Sequence, residues 1–406
     1  MMPVVEAVLW LLAVLVLVPV AVLVAESLAA LLPRRLQPPD PPGGRPRCAV
    51  LVPAHNEEAG IGKTISALRP QLGPDDRLVV VADNCGDGTA AAARSFGAMA
   101  LERHDPQRRG KGYALDFGVR SLEADPPAVV VIVDADCLVE DGGIDRLVRD
   151  AAATGRPVQA AYVLDEPADA GYRDRLSAFA FRFKNVVRPL GLDRLGLPCL
   201  LTGTGMAFPW PVLRDASLAS GNIVEDMRLG VDLAVAGHPP RLCPEARVRG
   251  EMPSARKAAV TQRTRWEHGH LQTLLTQVPG LLRAALARRR LGLLGLALEL
   301  SVPPLSMLVL LWAVGVAGLA GWWALGGSPL PAVVLASGGL ALLLSIFAAW
   351  VKFGRQHLPL TSLLAAPFYV LWKVPIYLAF LFRRQREWVR TDRGVPAGSD
   401  EAGGPK

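Results

Sequence analysis

Two stretches of this chain, residues 3–32 and most of 291–382, are nearly free of charge, while residues 45–290 read as an ordinary soluble domain. A run of ~20 apolar residues is long enough to cross the hydrocarbon of a bilayer as a helix. The division therefore predicts a membrane protein with a polar insert of catalytic size. The 406 residues carry a net charge of +7, and much of the arginine lies beside the apolar segments. Anionic lipid is the simplest partner for such a distribution, and no nucleic-acid motif is present. Five cysteines, Cys48, Cys85, Cys137, Cys199 and Cys243, are scattered singly without paired-ligand spacing. That pattern suggests reduced thiols and a soluble part that faces the cytosol.

Val4 to Leu32 predicts a first transmembrane helix within residues 1–33. Arg34, Arg35, Arg45 and Arg47 follow it, which puts the N-terminus outside and the next domain inside. Residues 34–46 are too rich in proline for a helix and read as a stiff linker. From 47 to 266 strands alternate with helices. The expected strands are Cys48 to Val52, Arg77 to Ala82, a stretch near Ala98–Leu101, Val129 to Val133, Val158 to Leu164, and Leu200 to Phe208. The expected helices are Ile61 to Leu68, Thr89 to Phe96, Lys111 to Leu122, Asp145 to Ala153 and Met227 to Ala236. Such alternation predicts a mostly parallel sheet with helices on both faces. Residues 267–290 predict an amphipathic helix lying in the membrane interface, kinked at Pro279. Within the membrane region 291–382, crossings are expected at Leu305–Leu325 and Leu330–Val351. Leu358 to Phe382 is expected to form a bent interfacial or re-entrant pair, which leaves the tail 383–406 inside.

The chemistry gathers at strand ends. Val129 to Val133 is a run of five β-branched residues, the signature of a strand buried on both faces, and Asp134-Ala135-Asp136 follows it. In open α/β sheets ligands bind beyond the carboxyl ends of the strands. Pro53 leads into His55-Asn56-Glu57-Glu58, and a third polar end is Asp83-Asn84. Together these outline a nucleotide-sized crevice whose paired acids suit a hard divalent cation. No Gly-x-Gly-x-x-Gly follows the first strand, and Arg109-Gly110-Lys111-Gly112 lacks Walker spacing. Dehydrogenase and ATPase readings fall away. Glu225-Asp226 reads as a helix start, and Gln262-Arg263-Thr264-Arg265-Trp266 as a basic patch at a membrane surface.

Taken in order, Pro53 to Glu58, Asp83-Asn84, Gly110-Lys111-Gly112, Asp134-Ala135-Asp136, Thr202-Gly203-Thr204-Gly205, Glu225-Asp226 and Gln262 to Trp266 resemble the membrane-embedded family-2 glycosyltransferases. That group includes cellulose, hyaluronan and poly-N-acetylglucosamine synthases and ceramide-type glucosyltransferases. The resemblance covers residues 47 to about 270 and the membrane layout after it. It implies a GT-A-like fold, an α/β architecture with a mostly parallel nucleotide-binding sheet and helices on both faces, joined here to transmembrane and interfacial helices. It also implies transfer from a UDP-sugar to a lipid or growing-polysaccharide acceptor, with inversion, by an integral protein of the plasma membrane whose catalytic domain is cytosolic.

The roles implied are these. Pro53, Glu57, Asp83, Lys111 and Asp134 bind the donor, and Asp134 and Asp136 hold Mg2+ or Mn2+. Asp226 is the general base, kept ionised by its place at a helix start. Gly203, Thr204, Glu225, Gln262, Arg263, Arg265 and Trp266 meet the acceptor or the diphosphate. Glu387 to Arg393 resembles the loop that folds over the donor in these synthases. Processive synthases build their channel from more crossings than the three counted here. Transfer of one sugar to a lipid, or a synthase working with accessory export subunits, therefore stands beside polymer export. A nucleotide-sugar-binding module without catalysis would need neither Asp226 nor the Arg-Thr-Arg-Trp platform. A nucleotidyltransferase would need an activating phosphate loop where His55 to Glu58 stands.

Overall fold

The computed structural model of the chain describes residues 2–33, 44–167, 169–219, 225–252 and 256–382. The tail, the Glu387 to Arg393 stretch, Val224 and residues 34–43 of the linker lie outside the described residues.

Eight strands make one sheet: β1 (Cys48–Ala54), β2 (Arg77–Asp83), β3 (Met99–Arg103), β4 (Val129–Ile132), β5 (Cys137–Val139), β6 (Val158–Asp165), β7 (Met206–Pro209) and β8 (Arg241–Glu251). Their order is β3-β2-β1-β4-β7-β6-β8-β5. The pairs β3–β2, β2–β1, β1–β4 and β6–β8 are parallel, and β7 and β5 run antiparallel to their neighbours. This is the expected GT-A-like α/β fold with a mostly parallel sheet. Side chains alternate across it. Val50, Val52 and Val131 pack with Ile61, Ile65 and Ile144 on one face. Leu51, Val79 and Ile132 pack with Leu115, Phe208 and Leu213 on the other. Two covered faces explain why these strands read as continuous apolar runs.

Two expectations need correction. The strand expected over Leu200 to Phe208 begins only at Met206, because Gly203 and Gly205 take positive φ values of 89° and 64° and break the extended backbone. The helix expected from residue 267 is one continuous helix, Arg256–Arg288, which contains Gln262 to Trp266 and carries Pro279 inside it. Leu281 and Ala285 on this helix are buried against Met227, Val231, Leu293 and Leu296, so part of the face assigned to lipid meets protein instead.

Three helices, Val4–Leu31, Leu305–Ala324 and Leu330–Gly354, are long and apolar enough to cross a membrane. The stretch expected to bend forms two helices, Leu360–Leu364 and Ala366–Phe382, both short of the ~20 residues of a crossing. The soluble domain is tied to the first helix by a buried ion pair. Arg188 Nε donates to Glu26 Oε2 at 2.6 Å, and Arg188 Nη2 donates to the Glu299 carbonyl at 2.8 Å. One turn beyond Arg188, a Cβ on Gly191 would stand 2.0 Å from the backbone oxygen of Glu26. The helices Arg188–Leu195 and Met2–Leu31 thus touch backbone to backbone there. Gly191→Ala should lower stability by about 1–3 kcal/mol through overpacking, read as a lower unfolding midpoint of the full chain in detergent. An unchanged midpoint would show that the two helices have room to separate.

Candidate active site

Strands β1, β2 and β4 deliver their carboxyl ends side by side. After β1 the chain turns through Asn56 at φ 54°, and after β2 through Asn84 at φ 52°. Asparagine enters this left-handed region at less cost than most residues, because its short amide bonds locally. Here Asn56 Oδ1 accepts from the Gly86 N–H at 2.7 Å and Asn84 Oδ1 from the Asp105 N–H at 2.8 Å. His55 Nδ1 donates to the Asp83 carbonyl at 2.7 Å, which locks the two turns together. Asp83 is 6% exposed and accepts from Arg103 Nη1 at 2.6 Å and Asn84 Nδ2 at 3.1 Å. Arg103 also reaches Asp105 at 3.1 Å and lies over the Tyr113 ring.

Beyond β4, Asp134 is positioned from behind: its N–H donates to Thr204 Oγ1 at 3.1 Å, and Thr204 is fully buried. Ligand-type atoms of Asp134, Asp136 and Cys137 lie within 4.8 Å of one another. Burial pushes the Cys137 thiol up to about 12, so it stays protonated at neutral pH and is a poor ligand. The two carboxylates remain, and oxygen donors of this kind fit Mg2+ or Mn2+.

Lys111 starts the helix Lys111–Ser121 directly after Gly110, whose φ of 128° is open only to glycine. Its Nζ pairs with Asp134 and donates to the Gly203 carbonyl at 2.7 Å. Burial works against this ammonium, but Asp134, Glu225 and Asp226 outweigh it and hold its pKa above the ordinary value. Gly203 takes a φ of 89°, which favours glycine, and a Cβ there would stand 3.2 Å from Asp226 Oδ2 and 3.5 Å from Lys111 Nζ, so these groups converge on it.

Glu225 and Asp226 open the helix Glu225–Ala236. Burial raises both carboxyls; the Lys111 ammonium pulls both down, and the Met227 N–H lowers Asp226 further. Burial thus works against the ionised form that the helix start was expected to favour, and leaves the Asp226 pKa raised. Arg265 faces the charges of Glu225, Asp134 and Asp226. Arg263 differs: its Nη2 pairs with Asp174 at 2.9 Å and its guanidinium lies over Trp372. Trp266 packs against Phe181, with ring centroids 5.3 Å apart.

Pro53, Glu57, Asp83, Lys111, Asp134, Asp136, Gly203, Glu225, Asp226, Gln262, Arg263, Arg265 and Trp266 all line one cavity of about 1180 Å³. Thr204 stands behind the lining. This volume exceeds the ~300–1,000 Å³ of a typical small-molecule site, which leaves room for two substrates. Sequence reasoning missed Arg103, whose alternation in β3 gave no hint of its partner. It also missed Lys184, Glu267, Glu299 and Lys373, which line the same cavity. Lys184 sits in the mixed stretch Phe181-Arg182-Phe183-Lys184-Asn185, which gave no local signal for it.

Comparison with known proteins gives the family and the fold. The family described as "Glycosyltransferase like family 2" matches residues 46–269, more than half of the chain. A probable glycosyltransferase, YdaM, from Bacillus subtilis (strain 168) is 33% identical over 111 residues. That match spans 25% of this chain and 26% of the relative's length. Among solved structures, a mannosyltransferase from Pyrobaculum calidifontis in complex with GDP-Man and Mn2+ shares the fold at a TM-score of 0.53 and 20% identity. It covers 90% of this chain and 99% of its own.

Arg103→Ala would leave the Asp83 carboxylate buried without its main partner. The expected cost is about 3–5 kcal/mol, measured by denaturant unfolding of the full chain. A loss below about 1 kcal/mol would mean that the pair behaves as a solvated one.

Proposed function

Since this chain belongs to glycosyltransferase-like family 2, we propose that it is an inverting glycosyltransferase, a hexosyl- or N-acetylhexosaminyl-transferase working on a UDP-sugar and a lipid or saccharide acceptor. One observation carries the reading. The metal-type pair Asp134 and Asp136 and the buried pair Glu225 and Asp226 line a single cavity, joined through Lys111 and Gly203. Donor chemistry and acceptor chemistry therefore meet within one side chain's reach.

In this reading Asp83, with Arg103 behind it, binds the base, and Glu57 the nucleoside. Lys111 and Arg265 meet the diphosphate, as two cations already aimed at the acids of the site. A divalent cation held by Asp134 and Asp136, Mg2+ or Mn2+, supplies positive charge against that building on the departing diphosphate. Asp226 accepts the proton of the acceptor hydroxyl as its oxygen attacks the anomeric carbon and the bond to the diphosphate breaks. Attack from the side opposite the leaving group inverts that carbon. Trp266 gives the acceptor an apolar platform, and Gln262 and Glu225 border it. Arg263, engaged with Asp174, orients the platform rather than the phosphates.

The three long apolar helices and the arginines after the first support an integral membrane protein, with the catalytic domain on the cytosolic face of the plasma membrane. Accessory export subunits enter only if the product is a polymer.

Asp226→Asn should cut transfer by about 10²–10⁴-fold while the donor Kd stays nearly unchanged, because shape is kept and the base is lost. Asp136→Asn should instead weaken metal-dependent donor binding. Labelled nucleotide sugars with Mg2+ or Mn2+ read both, and retained turnover in the Asp226 variant would refute the base.

The pH profile gives a separate check. The base must be ionised, and burial raises Asp226, so turnover should fall on the acid side with a midpoint above the ordinary carboxylate value of about 4. A midpoint at or below that value would exclude Asp226 as the titrating group.

A further inference from the structure

Besides the acids described above, the same cavity is lined by Lys184, Glu267, His270 and Glu299, and by Leu23, Pro303 and Leu305. Leu23 lies in the first long apolar helix and Leu305 begins the second, so this inner part of the lining comes in part from segments long and apolar enough to cross a bilayer.

The helix carrying Lys184 widens there. Residues Phe183–Val187 form a π-helical turn in which the Arg188 N–H donates to the Phe183 carbonyl, five residues back. Such turns inside helices are frequent at functional sites. Lys184 feels the charges of Asp226, Glu267 and Glu299, yet its ammonium has no hydrogen-bond or ion-pair partner among the described residues. Burial lowers its pKa.

The other charges of this inner end are already matched: Lys373 by Glu267, and Arg188 by Glu26 and the Glu299 carbonyl. What remains is uncommitted hydrogen-bonding capacity. Glu267 Oε2, Glu299 Oε2 and His270 Nδ1 are buried without a partner among the described residues. His270 Nε2 donates to the Val302 carbonyl at 2.9 Å, so its Nδ1 is an acceptor. Glu267 Oε2 and His270 Nδ1 are acceptors and Lys184 is a donor, while burial raises the Glu299 carboxyl to about 8, so at neutral pH it can donate as well as accept. A phosphate brings only acceptors and would leave Glu267 Oε2 and His270 Nδ1 without a donor. A hydroxyl both donates and accepts, and a cluster of hydroxyls satisfies all four.

Taking the donor site as read above, we infer that this inner chamber is the acceptor subsite, and that it binds a neutral polyhydroxylated head, a sugar or a glycerol-like polyol, borne on an apolar chain. Lys184 and Glu299 are its specificity-determining residues. The apolar chain leaves the chamber past Leu23 and Leu305.

The test uses the full chain in phospholipid nanodiscs. A panel of UDP- and GDP-sugars first identifies the donor that binds, by Kd. Transfer from it, with Mn2+ present, is then followed by mass spectrometry to three acceptors: a long-chain alkyl glucoside, a polyprenyl phosphate and free glucose. Transfer to the alkyl glucoside is expected to lead. Lys184→Met and Glu299→Gln should each raise its KM by about tenfold or more with the donor Kd unchanged, and Lys184→Arg should recover part of the loss. The unchanged donor Kd also shows that each variant is folded. Transfer confined to the polyprenyl phosphate would overturn the neutral head, and free glucose used as well as the alkyl glucoside would overturn the apolar anchor. An unaltered KM in both variants would remove Lys184 and Glu299 from the site. If the wild type binds no nucleotide sugar at all, the glycosyltransferase reading itself fails, an outcome separate from these.

Discussion

A guanidinium taken out of water must be matched, because an unpaired buried ion costs several kcal/mol. Arg188 is matched by Glu26 from the first long apolar helix and by the Glu299 carbonyl of the helix Leu291–Ser301. Three elements far apart in the chain are thereby held at one point. The contact works only because Gly191, on the same face one turn on, lets the backbone of Arg188–Leu195 lie against Glu26. Apolar packing around it, with Leu23, Phe179, Phe183 and Leu308 in one cluster, supplies area but little direction. The ion pair supplies the direction. The α/β domain and the long apolar helices therefore meet in one defined arrangement, and residues of both line one cavity.

The same rule shapes the site. Asp134, Asp136, Glu225 and Asp226 crowd one cavity, where burial and the charge of Asp134 raise the Glu225 and Asp226 carboxyls. The crowd is tolerable because the Lys111 ammonium stands among them, bonded to Asp134 and to the Gly203 carbonyl. Arg265 adds a second cation facing the same acids. A site built this way favours ligands that rebalance its charge. In the proposed function a divalent cation would meet the acids and a diphosphate Lys111 and Arg265, each easier to accept when the other is present.

Much of this was legible in the sequence. Parallel strands covered on both faces are written as apolar runs, so β1, β2 and β4 stood out, and the acids that end them pointed to one edge. Strand β8 did not stand out. Its alternate residues Arg241, Glu245, Arg247 and Arg249 are polar, and Pro244 interrupts the run. Strand β7 was overextended because Leu200 and Leu201 are apolar for another reason: Leu201 is buried under the sheet, while the glycines at 203 and 205 turn the chain. The buried charges were the least legible. Glu26 is one of two acids in an apolar run, and nothing local announces that Arg188, 162 residues later, will pair with it. Pairing at that separation belongs to the tertiary fold, which periodicity does not encode.

The long helix Arg256–Arg288 explains why the proposed base and the proposed acceptor platform belong to one mechanical unit. Its first turns carry Gln262, Arg263 and Trp266 into the cavity. Its later turns bury Leu281 and Ala285 against Met227, Val231 and Ala234, the inner face of the helix that begins with Glu225 and Asp226. Met227 follows the proposed base directly, so the packing that seats this residue also fixes where the carboxylate stands. Leu293, Leu296 and Leu300 from the helix Leu291–Ser301 complete the cluster, and Glu299 on that same helix reaches the inner end of the cavity. A close-packed cluster of this kind transmits displacement rather than absorbing it. A shift of the membrane-side helices would therefore move the base, the platform and the inner chamber together.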